Sequence, residues 1–76
     1  MKYLGMLRFR DQDFKYENDS LDELINYLEN YVEDNPKAVI VGIINTENHF
    51  VEKVGETFVD RKEYVKSELI DLSNNL

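Results

Sequence analysis

Asn35-Pro36-Lys37-Ala38-Val39-Ile40-Val41-Gly42-Ile43-Ile44-Asn45-Thr46-Glu47-Asn48 is the stretch on which the fold turns. Its centre, Ala38 to Ile44, is an unbroken apolar run rich in β-branched residues, closed by Pro36 on one side and a polar cluster on the other. Such a run is too short for a buried helix and reads as a central strand, apolar on both sides. Beyond the polar cluster, His49 to Val54 resumes with Phe50 and Val54 on one side and Val51 and Lys53 on the other. That makes a hairpin across the turn at Asn45 to Asn48, and Gly55 ends the pairing.

Upstream of the run, Ser20-Leu21-Asp22-Glu23 has the form of a capping box, with the serine hydroxyl accepting from the Glu23 N–H and the Glu23 carboxylate reaching back to the Ser20 N–H. Leu21, Leu24, Ile25, Leu28 and Val32 then recur on one helical face, and Asn35-Pro36 stops the pattern because a residue before proline is pushed out of the α region. A helix is expected over residues 21–34. Before it, residues 2–10 read as a second central strand, with Tyr3, Gly5, Leu7 and Phe9 on one side and Leu4, Met6, Arg8 and Arg10 on the other. Asp11-Gln12-Asp13 supplies a turn, and Phe14 to Glu17 alternates as a half-buried edge strand. At the far end, Asp60 with Glu63 repeats the capping logic, Val59 is placed to pack on Tyr64, and Val65, Leu69, Leu72 and Leu76 give a second helical stripe, with Ser73 to Asn75 fraying.

The order of elements is thus ββαββα in a single α+β domain over residues 1–76. A right-handed crossover from the edge strand to the central run skips one strand and gives a four-stranded antiparallel sheet in the order 2-1-3-4. With both helices on one face, the expected architecture is a two-layer sandwich. The other face would then present Leu4, Met6, Ile40 and Ile44 at its centre, ringed by Arg8, Arg10 and Lys15. An uncovered apolar centre of that size calls for a partner or a second copy.

Sixteen acidic residues against nine basic give a net charge of −7, which favours solubility and works against non-specific attraction to nucleic acid or anionic membranes. With no cysteine and one histidine, neither a disulfide framework nor a zinc site built from these ligands is available. No stretch approaches the ~20 apolar residues of a membrane span. Arg8 interrupts the first apolar run before it can serve as an export signal. A cytoplasmic protein is expected, and Asn18-Asp19-Ser20 reads as a helix entry instead of a glycosylation sequon. Ala38 is the only alanine and Pro36 the only proline, while Asn, Lys, Ile, Glu and Tyr abound, a usage that fits an AT-rich genome.

No catalytic, cofactor or metal site is legible. Ser20 is committed to a cap, and Ser67 and Ser73 lie on the second helix, so no nucleophile stands beside a base. Gly5, Gly42 and Gly55 are scattered, which leaves no phosphate-binding loop. Asp11 and Asp13 fall short of a calcium loop because Lys15 occupies the third ligand position. What stands out is charge: Glu17 to Asp34 holds seven acidic residues and no basic one.

The expected partner surface is therefore the outer side of the first helix, with Asp22, Glu23, Tyr27, Glu29, Tyr31, Glu33 and Asp34. Carboxylates one turn apart, such as Glu29 and Glu33, lie ~6 Å from each other along the axis, near the spacing of phosphates on a strand. In size, charge and composition the chain resembles small acidic phage or mobile-element proteins that inhibit host machinery, anti-CRISPR and polymerase-inhibiting proteins among them. That resemblance is one of class and rests on no motif. It implies a non-enzymatic interaction protein that occupies a surface of another macromolecule. Two other readings fit the same sequence: a homodimer joined through Leu4, Met6, Ile40 and Ile44, and a small nucleic-acid module using Arg8, Arg10, Lys15 and Lys53. The last is the weaker, because Phe9, Phe14 and Tyr16 are expected under the helices instead of free to stack on bases.

Overall fold

The computed structural model describes residues 2–74. In chain order it holds β1 (Tyr3–Phe9), β2 (Gln12–Asn18), α1 (Leu21–Asp34), β3 (Val39–Asn45), β4 (Val51–Val54), a single 3-10 turn (Glu56–Phe58) and α2 (Lys62–Asn74). The strands form one antiparallel sheet in the order β2-β1-β3-β4, as the crossover argument expects. Leu76 and Asn75, assigned above to a stripe and a frayed end, lie outside the described residues.

Local chemistry sets the boundaries. The Ser20 Oγ accepts from the Glu23 N–H at 3.3 Å, but the reciprocal bond comes from Asn18, whose Oδ1 takes the Ser20 N–H at 2.7 Å. α1 ends where Asn35 donates to the Tyr31 carbonyl through both its backbone N–H and its side-chain amide. The first hairpin is tighter than its Asp11-Gln12-Asp13 signal suggests. Phe9 pairs with Gln12, leaving Arg10 (φ 54°) and Asp11 (φ 62°) as a two-residue turn of the mirror-image kind that matches strand twist. Asp13 is thereby drawn into β2 opposite Arg8.

The C-terminal helix also enters differently. Val59 is 68% exposed and makes no staple; instead Phe58 is buried and its ring stacks on that of Tyr64, with centroids 6.0 Å apart. α2 starts at Lys62, and the Val65 N–H donates to the Arg61 carbonyl.

The two helices do not share a face. Leu24 and Leu28 of α1 pack with Leu7 and Ile43, whereas Val65 and Leu69 of α2 pack with Leu4, Met6, Val41 and Ile44. Side chains alternate along β1, so Leu7 and the pair Leu4 and Met6 point to opposite sides. Two glycines confirm the split: a Cβ on Gly5 would lie 2.9 Å from Leu28 of α1, and one on Gly42 would lie 2.6 Å from Val65 of α2. The sheet is therefore the middle of three layers, α1 above and α2 below, and the two-layer expectation is corrected.

β1 and β3 are apolar on both faces and each face needs a cover; a bulge in β3 then decides which residues meet which helix. The pairing of β3 with β1 slips by one residue between Met6 and Leu7, leaving Val41 as a bulge. Past a bulge the alternation is reset. Ile40 then joins the α1 side with Ile43, while Val41 and Ile44 line the α2 side. Each fully buried leucine or valine in these two cores stabilises the fold by roughly 1.5–3 kcal/mol over its exposed state.

Candidate functional site

The second layer of helix removes one expected surface. Leu4 and Ile44 are fully buried and Met6 nearly so under α2, and Ile40 is half-buried beside α1. The apolar centre that was to join two copies is a core instead.

Arg8, placed by alternation on the side of Leu4 and Met6, is half-buried beside α2. Its guanidinium meets the Asp13 carboxylate at 2.7 Å, approaches the Tyr64 hydroxyl at 3.3 Å and Glu68 at 3.9 Å, and lies over the Phe58 ring. The hydrogen bonds to Asp13, foremost, and to Tyr64 push its pKa further up. Arg8 ties the first hairpin to α2, and Asp13 is its counter-ion and not half of a calcium loop. Among the described residues no group of three acidic or histidine side chains is placed to hold a metal ion. Lys53 leans toward Glu29 at 3.9 Å on the α1 side, Lys15 is exposed on the α2 side of β2, and Arg10 sits over Phe9 at the hairpin tip. The basic residues do not converge on one face.

The acidic helix keeps its exposure, but its residues divide. Asp22, Glu23, Glu29, Glu33 and Asp34 are all exposed. By helical periodicity Asp22, Glu29 and Glu33 form one flank, and the Glu29 contact with Lys53 shows that this flank looks toward β4. Tyr27 and Tyr31 form the other. The Tyr27 ring lies 4.7 Å from that of Tyr16 on β2, and Tyr31 lies 6.3 Å from both Tyr16 and Phe9. Burial, with the Tyr27 hydroxyl as hydrogen-bond partner, raises the Tyr16 pKa above its ordinary value. Tyr27 nevertheless remains 48% exposed. Among the described residues, Glu29 is the only one of the five helix carboxylates named here in an ion pair with a basic side chain.

Sequence reasoning missed a groove beside α1. Because that helix does not reach over β4, a cavity of about 320 Å³ opens between Val32, Ala38, Val39 and Ile40 on one side and Lys53, Gly55 and Glu56 on the other. The bulge that turns Ile40 toward α1 gives the groove its apolar floor, and no proline or glycine marks that bulge in the sequence. No helix among the described residues is long and apolar enough to cross a membrane. No protein-family model, curated protein or solved structure matches the chain.

Proposed function

We propose that the chain is a non-enzymatic interaction protein that docks the acidic side of α1 on a basic surface of another protein, in the manner of the small phage or mobile-element inhibitors it resembles in size and charge. The observation that carries this reading is the exposure of Asp22, Glu23, Glu33 and Asp34 on a segment that contains no basic residue to neutralise them. Helix dipole adds little to their placement: Asp22 and Glu23 favour the N-terminal turn, but Glu33 and Asp34 at the C-terminal end sit against it and so act against helix stability. The groove beside α1 has one lysine and two carboxylates at its rim and an apolar floor, with the lysine drawn toward Glu29 as a partly exposed ion pair. The dispersal of Arg8, Arg10, Lys15 and Lys53 counts against the nucleic-acid module.

The test compares two charge-reversed proteins on a resin offered a low-GC bacterial lysate. One carries Asp22→Lys, Glu29→Lys and Glu33→Lys; the other carries Glu47→Lys, Asp60→Lys and Glu63→Lys, all exposed and off α1. A partner should be retained by the native chain and by the second variant, lost from the first, and released as salt shortens the screening length from ~10 Å at 0.1 M to ~3 Å at 1 M. Equal retention of every captured protein by both variants would sink the reading.

A further inference from the structure

We propose that two copies of this chain pair antiparallel through their β2 edges, with Tyr16 on the two-fold axis. β2 is one border of the sheet, seven residues long, free of glycine and proline, and paired to β1 without a slip. The other border, β4, has four residues and a bulge, the usual protection of an edge. The phase of hydrogen bonding follows from the two-residue turn, which makes Phe9 and Gln12 a hydrogen-bonded pair. Counting in twos, Gln12, Phe14, Tyr16 and Asn18 bond inward to β1. Asp13, Lys15 and Glu17 aim N–H and C=O outward.

Side chains then select the register. A two-fold normal to the sheet keeps each face continuous, so its axis must pass through a residue. On Lys15 it would set lysine against lysine and Asp13 against the partner's Glu17, both repulsive. On Phe14 it would ask Asp13 to leave Arg8 and would oppose Glu17 to the partner's Asp11. On Tyr16 it sets Lys15 against the partner's Glu17 twice on one face and Tyr16 against its own copy on the other. Asp13 then meets Asp19 only beyond the end of β2.

The helices support the same axis. α1 packs across β1, touching β2 and β3 on either side. In the order β1-β2-β2-β1 the two α1 axes stand three strand spacings apart, ~14 Å, wider than the ~8–10 Å of direct helix contact. Large side chains must fill that gap, and Tyr27 stands there, 48% exposed and in ring contact with Tyr16. Run antiparallel, α1 brings Tyr27 to its copy and Glu23 to the partner's Tyr31, not to another carboxylate. Asp22, Glu29 and Glu33 lie on the opposite flank, so the joint leaves that part of the docking surface proposed above free, while Glu23 lies within the joint.

Sedimentation at several concentrations tests the joint, with circular dichroism confirming that each variant folds. The native chain should show a concentration-dependent dimer. Lys15→Glu should weaken it roughly tenfold by turning two attractive pairs repulsive, and adding Glu17→Lys should restore it. Tyr27→Ala should weaken it as well, while the Asp22, Glu29 and Glu33 reversals leave it intact. The amides of Lys15 and Glu17 should exchange more slowly as concentration rises. A monomer at every concentration up to the millimolar range, a dimer indifferent to Lys15→Glu, or failure of the double variant to recover would each overturn the proposal.

Discussion

Ile44→Ala measures whether α2 covers the sheet. Ile44 has no exposed surface and shares a cluster with Leu4, Met6, Val65 and Leu69. Truncating a buried isoleucine removes its transfer free energy and leaves a cavity, together ~2–5 kcal/mol. Were that face open to water, the same change would stay within about 1 kcal/mol. A chain of 76 residues at roughly 0.05–0.15 kcal/mol per residue holds about 4–11 kcal/mol in all, so the variant should lose a large fraction of its stability. At an m of ~1 kcal/mol/M, its urea midpoint should fall by about 2 M or more with an unchanged slope. Leu28→Ala, fully buried under α1, is the matched control and should fall in the same range. A loss under ~1 kcal/mol for Ile44→Ala beside more than ~2 for Leu28→Ala would refute the three-layer argument.

Two further outcomes follow from local geometry. Gly55 has φ −64° and ψ 153°, which any residue adopts, yet a Cβ there would sit 1.6 Å from the Ile40 carbonyl oxygen. Gly55→Ala should therefore cost ~3 kcal/mol or more through backbone displacement and loss of the bond from the Gly55 N–H to the Val41 carbonyl; a thermal midpoint close to native would contradict it. Tyr16, its pKa raised first by burial and then by Tyr27, favours the folded state while neutral. That contribution is complete below the unfolded value of ~10 and is lost as pH rises through the higher folded value. Urea unfolding between about pH 8 and 11 should show a falling limb that Tyr16→Phe makes shallower, and an unchanged limb would remove Tyr16 as its source.

Strand order and α1 were legible because each rests on local chemistry: a cap at Ser20, a stop at Asn35-Pro36, and the handedness of a crossover. The covered faces were not. A run such as Val39 to Ile44 is apolar at every position, so it carries no label for inside and outside, and the slip at Val41 then exchanges the sides of Ile40 and Val41. The two-sided apolarity of β1 and β3 was itself the sign of helices on both faces, although it reads equally as one covered face and one sticky one. Arg10-Asp11 lacks the Asn-Gly or Asp-Gly signature of its turn, which hid the hairpin register and with it the pairing of Asp13 with Arg8. The carboxylates of α1 were read correctly as exposed, since periodicity alone sets them outside. The lean of Tyr27 and Tyr31 onto Tyr16 depended on the face that α1 covers and could not be read before it.

Placing α2 beneath the sheet has a bearing on synthesis. Chain growth delivers β1 to β4 and α1 before α2. Until α2 docks, Leu4, Met6 and Ile44 lack their cover on the sheet. The interval is short at ~5–20 residues per second, but it is when the chain is most exposed to wrong partners. A chain in which α2 has yet to dock would show the solvent one apolar face of its sheet, a natural substrate for chaperones or proteases.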